Sequence, residues 1–322
     1  MNFSTRGGRL SVLYVVWALV APTAAESQPP EYIQRLALPV AQDDIGYGQS
    51  VTIDPHTGEI FVCDPRSNRI LIFDREGFFK YQILGGTEFS GPRDLAVDPT
   101  GLILVLGSRD TRRVPIELDF DGVFRRGLAI QEIQSSKALR LNSIALSPDG
   151  SRVFLIDDAN LELLITDRDG TLIRSVDLAA GLSDRRRADL IVGQVDVYGD
   201  RVLVSLPSEG EVHTFDLQGE RLGHVGLKGT GRCELGRPTA AALTEAGEYL
   251  IVDQQRMVLL HWSAKGNRCL GEYIGIGAAP GYLYYPYDVA LDAAGRLYIA
   301  QTYDGRVQVY EGLDRAMASK SD

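Results

Sequence analysis

The sequence predicts an all-β protein, and three observations carry that prediction. A turn marked by glycine recurs six times at intervals of 43 to 49 residues, at Gly58, Gly101, Gly150, Gly199, Gly247 and Gly295. The turns lie between apolar runs of four to six residues, the length of a strand rather than of a helix. Asp-Gly, Pro-Asp-Gly and Thr-Gly turns join these runs, as in antiparallel hairpins. Six copies of a four-stranded antiparallel unit at one period predict a six-bladed β-propeller.

The first copy shows the four strands in order. Residues 50–58 read SVTIDPHTG, an apolar run that ends in a turn, and IFVCD follows at 60–64. The third run is RILIFD at 69–74, and FFKYQIL at 78–84 is the fourth. A fourth run also follows in most other copies, so each unit is predicted to form a blade. Between blades, residues 183–191 (SDRRRADLI) are predicted to form at most one or two helical turns.

The last copy lacks a fourth run, because only RAMASKSD follows its third. A spare strand, YIQRLAL at 32–38, precedes the first copy. A closed ring leaves no long exposed edge, so we expect the N-terminal strand to complete the C-terminal blade. The predicted division is therefore a signal peptide at 1–25, the propeller at 26–312 and a C-terminal tail at 313–322.

The N-terminal residues predict export. Arg6 and Arg9 precede the apolar run LSVLYVVWALVA, and PTAAES follows it, which predicts a signal peptide cleaved near Ala25. An uncleaved anchor is the alternative, although the run of 12 residues is shorter than a membrane span. No second long apolar run exists, so the mature protein is predicted to be periplasmic or secreted and not integral to a membrane. The formal net charge of −10 argues against nucleic-acid binding.

The chain has three cysteines, Cys63, Cys233 and Cys269, so at least one is unpaired within the chain. Cys63 ends an apolar run, where a small buried thiol fits. The sequence leaves open whether Cys233 and Cys269 form a disulfide.

The repeated unit resembles the NHL repeat. The resemblance rests on GEIFVCDPRSNRILIFDREG at 58–77, PRDLAVDPTGLILVLG at 92–107 and PYDVALDAAGRLYIAQTYDGRVQVYEG at 286–312. It covers about residues 31–312 and implies a six-bladed propeller. It does not imply one activity, because this fold hosts both binding scaffolds and enzymes.

The first strand of each blade is expected to start beside the central axis, where propellers usually bind ligands. The aligned starts are Ser50, Asp94, Ser143, a position near Val192, Ala240 and Asp288. One residue earlier stand Gln49, Arg93, Asn142, Thr239 and Tyr287. From these positions we predict a ligand-binding set of Arg93, Asp94, Asn142, Tyr287 and Asp288.

Two functions follow from these residues. The first is a non-catalytic binding scaffold without a cofactor, whose partner is a protein, a peptide or a glycan. Polar loops and the tyrosines at 282, 284, 285 and 287 would supply its contacts. The alternative is a metal-dependent lactonase or lyase, because NSIALSPDG at 142–150 resembles a stretch of the gluconolactonase family. That resemblance rests on Asn142, because the EGP-x-W segment of the family is absent. Asp94 and Asp288 join Asn142 as expected oxygen ligands for Ca²⁺ or Zn²⁺ because all three lie at the starts of first strands.

Two further features have structural interpretations. His213 and His261 share a register on predicted third strands, which favours packing positions away from the axis. Asp64 and Arg69 flank the loop between second and third strands, which favours an ion pair that holds the blade.

Overall fold

Six four-stranded antiparallel sheets form the ring in the computed structural model, which describes residues 29–39, 44–131 and 137–313. Each sheet is one blade, and the first strands of neighbouring blades contact one another around the axis. The predicted fold class is confirmed. The predicted signal peptide lies outside the described residues.

The strand bounds follow the chain in order. Before the first blade lies β1 (Glu31–Arg35). Blade one contains β2 (Ser50–Ile53), β3 (Ile60–Asp64), β4 (Arg69–Phe73) and β5 (Phe79–Leu84). Blade two contains β6 (Ser90–Val97), β7 (Ile103–Arg109), β8 (Arg112–Leu118) and β9 (Phe124–Gly127). Blade three contains β10 (Leu141–Leu146), β11 (Arg152–Asp157), β12 (Glu162–Asp167) and β13 (Leu172–Asp177).

The second half of the ring begins after one short helix, α1 (Asp184–Ala188), which agrees with the one or two turns predicted. Blade four contains β14 (Val195–Tyr198), β15 (Arg201–Leu206), β16 (Glu211–Asp216) and β17 (Arg221–Val225). Blade five contains β18 (Pro238–Leu243), β19 (Tyr249–Asp253), β20 (Val258–Trp262) and β21 (Cys269–Tyr273). Blade six contains β22 (Pro286–Leu291), β23 (Leu297–Gln301) and β24 (Arg306–Glu311).

The N-terminal strand closes the ring, as predicted. β1 pairs antiparallel with β24, from Glu31 opposite Glu311 to Arg35 opposite Gln308. The order of that sheet is β1-β24-β23-β22, so the first residues of the fold supply the outermost strand of its last blade. Tyr32 also packs edge-on against Tyr310, with ring centroids 5.9 Å apart. The edge that β24 would otherwise expose is therefore covered.

The hydrophobic core lies between blades rather than at the axis. Six clusters of buried apolar residues occur, one at each interface between neighbouring blades. Inner strands are buried on both sides, as in β3, whereas outer strands such as β13 alternate half-buried and exposed side chains. Leu313 also packs between blades five and six, one residue beyond the predicted propeller boundary.

Cysteine pairing is settled by the fold. A disulfide joins Cys233, in the linker before blade five, to Cys269 at the start of β21. Cys63 is a buried free thiol within β3, as predicted. Among the described residues, no helix is long and apolar enough to cross a membrane.

The two structural interpretations are confirmed. Arg69 Nε lies 3.0 Å from Asp64 Oδ2 in a buried ion pair at the end of blade one. His213 and His261 lie on the third strands β16 and β20, and both are buried. Their Nε2 atoms lie 2.8 Å from the carboxylates of Glu211 and Glu248, respectively, so both histidines are packing residues held by a carboxylate. The Nδ1 atom of His261 is buried without a hydrogen-bond partner.

Candidate functional site

The two faces of the ring carry different side chains. We call the side where first strands begin the front face, and the side where they end in their hairpin turns the back face. A cavity of about 190 Å³ lies on the front face, and we call it the front pocket. A cavity of about 410 Å³ lies along the axis and reaches the back-face turns, and we call it the axial cavity.

Three predicted residues meet in the front pocket. Arg93 Nε donates a hydrogen bond of 3.0 Å to the backbone oxygen of Asn142. One terminal nitrogen of the Arg93 guanidinium donates to the Tyr287 hydroxyl at 3.1 Å. Because Arg93, Asn142 and Tyr287 come from blades two, three and six, these contacts tie the front ends of separate blades together.

The rest of the front pocket combines polar residues with the apolar side chains of Ile191, Val192 and Pro207. Asp158, Arg237, Thr239 and Gln254 also line it. Arg237 uses its backbone N–H to cap the Asp253 carboxylate, and its side chain is exposed. The pocket therefore offers a guanidinium, amides, hydroxyls and a carboxylate to a ligand.

A cluster of tyrosines stands on the same face in blade six. We call Tyr284, Tyr285 and Tyr303 the tyrosine patch. The rings of Tyr284 and Tyr285 meet edge-on at 4.9 Å, and those of Tyr285 and Tyr303 lie 4.5 Å apart. Tyr303 is 68% exposed. Tyr285 has a φ of 51°, a left-handed conformation that an L side chain adopts at a cost in energy.

The two predicted aspartates face the axial cavity. Asp94 accepts hydrogen bonds from the hydroxyls of Ser50 at 2.7 Å and Ser143 at 2.6 Å. Two backbone N–H groups, those of Leu95 and Ile144, donate to it at 2.9 Å. Asp288 accepts backbone hydrogen bonds from Val51 and Val289, each of 2.8 Å, and the Ser50 side chain also hydrogen-bonds to it.

Burial sets the protonation of these carboxyls. It raises the pKa of Asp94, although the four donors oppose the shift. Burial, and after it the charge of Asp94, raises the pKa of Asp288 to about 8. Asp288 is only 3% exposed. A carboxyl in this state holds its proton at neutral pH, since desolvation disfavours the charged form.

The proposed metal ligands do not share a site. Asp94 and Asp288 line the axial cavity, whereas Asn142 lines the front pocket and donates its side-chain amide to the Gly193 oxygen. The described part of the chain contains no group of three or more His, Cys, Asp or Glu residues that could hold a metal ion. The residues of the Ca²⁺ or Zn²⁺ alternative therefore do not fit a common metal centre.

The structure corrects the position predicted for blade four. In each of the other five blades, the predicted residue pairs with a residue near the end of the second strand. These residues are Ser50, Asp94, Ser143, Ala240 and Asp288. In blade four, Val195 pairs with Val204, and the Ser205 N–H donates to the Gln194 oxygen at 3.1 Å, so Gln194 occupies this place. The prediction near Val192 was wrong by two residues, because the first hairpin of this blade turns tightly between Tyr198 and Arg201.

The sequence analysis also missed Asp196, which lines the axial cavity. Asp196 lies two residues after Gln194 on β14 and pairs with Leu203. The equivalent positions in the other blades carry Thr52, Ala96, Ala145, Ala242 and Ala290. A carboxylate at a position where the other blades carry small residues could have pointed to Asp196. The shorter first hairpin of blade four obscured the alignment of that position with the other blades.

Comparisons with known proteins show the fold and no family. No protein-family model matches the chain, so the likeness to the NHL repeat remains a resemblance. No curated protein matches it. A protein of unknown function from Bacteroides thetaiotaomicron VPI-5482 is similar in structure, with 16% identity, coverage of 84% of this chain and 70% of the other, and a TM-score of 0.64. A streptogramin B lyase structure is 15% identical and covers 88% of this chain and 87% of its own, with a TM-score of 0.58.

Proposed function

We propose that this protein is an exported, non-catalytic scaffold that binds a peptide, or an extended segment of a partner protein, on its front face. The observation that carries the proposal is the tyrosine patch beside the front pocket. Tyrosine and arginine are the residues enriched at the energetic centres of protein interfaces. Tyr303 and Arg237 are both exposed on this face.

The size of the front pocket favours a side-chain anchor over a whole small molecule. Its volume is about 190 Å³. Pockets that enclose drug-sized ligands measure roughly 300–1,000 Å³. A pocket of this size accepts one side chain, and the tyrosine patch supplies rigid contact area with little loss of rotamer freedom. A peptide is therefore the ligand class that the geometry supports among protein, peptide and glycan.

Among the described residues, those that the enzyme alternative requires are not arranged as one site. Its three metal ligands lie in two cavities, as described above. At 15% identity, the similarity to the streptogramin B lyase structure supports the fold alone and not a lyase activity of this chain. We therefore propose a binding function rather than hydrolysis.

The experiment is selection of a random displayed-peptide library on the protein that begins at residue 29. Affinities of enriched peptides are then measured for Tyr303→Ala, Arg237→Ala and the control Phe120→Ala. Phe120 is a 64% exposed aromatic residue in a back-face turn. We expect the first two variants to bind about tenfold or more weakly, as interface anchors do when truncated, and the control to bind normally.

Two results would overturn the proposal. One is a set of enriched peptides whose affinity does not change in the two front-face variants. The other is failure to enrich any peptide while a glycan array gives binding that depends on Tyr303.

A further inference from the structure

The axial cavity is acidic at its inner end. Asp94, Asp196 and Asp288 line it from blades two, four and six. Burial, and then the charges of Asp288 and Asp94, raises the pKa of Asp196 well above its ordinary value, so the three carboxyls interact. Among the described residues that line the cavity there is no lysine or arginine. The cavity therefore holds three interacting carboxyl groups and no basic side chain that could balance their charge when they ionise.

Two polar groups in this region lack partners of their own. Within the described residues, no hydrogen bond reaches the Asp196 carboxylate, in contrast to the four that reach Asp94. Gln194 is only 5% exposed, and its side-chain oxygen Oε1 is buried without a hydrogen-bond partner. Its strand register gives Gln194 the same position in the first strand of its blade as Asp94 and Asp288 have in theirs. Buried polar atoms of native proteins are nearly always paired, so Gln194 Oε1 indicates a missing donor. The half-buried Asp196 carboxylate, two residues along the same strand, faces the cavity and is open to the same donor.

The described carboxyls are not arranged to bind a metal ion. A bound metal needs several oxygens converging to about 2.0–2.6 Å from a single point. The described residues contain no such group of three. A larger cation, which spreads its donors over several directions, does not require that convergence.

The remaining walls are mostly apolar, although Thr52 and Tyr198 also line them, and Asp54 and Asp292 at the back face are hydrogen-bonded within their own turns. Val51, Leu95, Ile144 and Val197 line the cavity, and Pro55, Pro99 and Pro148 stand at its back-face mouth. The volume of about 410 Å³ falls within the range of enclosed small-molecule sites, roughly 300–1,000 Å³. The carboxyl groups at the inner end of the cavity and the mostly apolar walls fit a ligand with a cationic group attached to a hydrocarbon chain.

We propose that the axial cavity binds an organic cation, a protonated primary amine on an apolar chain, with Asp196 as its principal counter-ion. The ammonium has three N–H donors, enough for Asp196, for Gln194 Oε1 and for one of the other carboxyls. The ligand enters between the prolines of the back face. This site is independent of the peptide site on the front face, so either can fail without the other.

The test is calorimetric titration of the protein with hexylamine, compared with hexan-1-ol and with calcium chloride. Asp196→Ala removes the counter-ion and should fold, because four other blades carry alanine at this place. Asp200→Asn is the matched control, since Asp200 lies in the same hairpin and its side chain is 92% exposed. Gln194→Leu removes the unpaired oxygen and keeps the shape of the side chain.

Hexylamine should bind the parent and Asp200→Asn with equal affinity. It should bind Asp196→Ala at least about tenfold more weakly, as when one partner of a buried charge pair is truncated. Gln194→Leu should weaken binding by a smaller factor, and hexan-1-ol should not bind. Unchanged affinity in Asp196→Ala, equal binding of the alcohol, or stoichiometric Ca²⁺ binding that requires Asp196 would each overturn the proposal.

Discussion

Asp94 and Asp288 show how hydrogen bonds decide the state of a buried carboxyl. Both are nearly inaccessible, at 6% and 3% exposure. Two serine hydroxyls and two backbone N–H groups stabilise the charge of Asp94, and Asp288 has fewer donors and Asp94 as a neighbour. Like charges in a dry site cannot both ionise easily, so Asp288 is the one that retains its proton.

This difference predicts how stability depends on pH. Other titratable groups that face this pair are Cys63, Asp196, Tyr198 and Tyr287. The folded pKa of Asp288, about 8, lies above its ordinary value of 3.8. Its stabilising contribution is therefore complete below about pH 4 and is lost as the pH rises through about 8.

Replacing Asp288 with Asn should remove that dependence. We expect the free energy of unfolding of the parent to fall relative to Asp288→Asn as the pH rises from 5 to 8, by at most about 1.4 kcal/mol per pH unit. Urea denaturation of both proteins at pH 5, 6, 7 and 8 measures the difference. The control Asp200→Asn should track the parent. A difference between the parent and Asp288→Asn that stays constant over this range would contradict the assigned protonation.

At the scale of elements, strand β1 lies before the first blade in the chain but forms the outermost strand of the last blade. Its pairing with β24 covers an edge, and Leu36 just beyond it is 1% exposed. Leu36 packs in the cluster between blades six and one, and its N–H donates to Val307. Removing this segment would expose both a strand edge and apolar surface.

Deletion of residues 31–39 should therefore destabilise the fold severely. We expect insoluble protein or a large drop in melting temperature, because a β24 edge freed of its partner is prone to aggregation. The matched control is the chain that begins at residue 29, which keeps β1. Melting curves from circular dichroism compare the two. A deletion variant that melts with the control would show that β1 does not stabilise the ring.

At the scale of the whole molecule, the ring separates two chemistries on its two faces. The front face carries arginines, amides and tyrosines, whereas the axial cavity that reaches the back face is lined by carboxyls and apolar walls. The packing between blades makes the ring a rigid support for both.

Export predicts the start of the mature protein. Because Thr23, Ala24 and Ala25 follow the apolar run, we expect cleavage after Ala25 and a mature chain that begins near Glu26. N-terminal sequencing of protein recovered from the exported fraction checks this. Protein that retains Met1 in the cytoplasm would show that the segment is not a cleaved signal.

The strands β6, β7 and β8, with seven or eight residues, are longer than the four to six predicted. The sequence alone predicted the number of blades and the ring closure. These depend on local periodicity and turn residues, such as the six glycine turns and the spare strand at 32–38. Only the tertiary structure decided which side chains meet. Arg93 and Asp94 are neighbours in the chain, yet successive strand residues point in opposite directions, so one lines the front pocket and the other the axial cavity. Gln194 and Asp196 lie at positions facing the axis because the tight hairpin of blade four shifts the register of its first strand. Which side chains from different blades come together depends on such strand registers and not on any local sequence pattern.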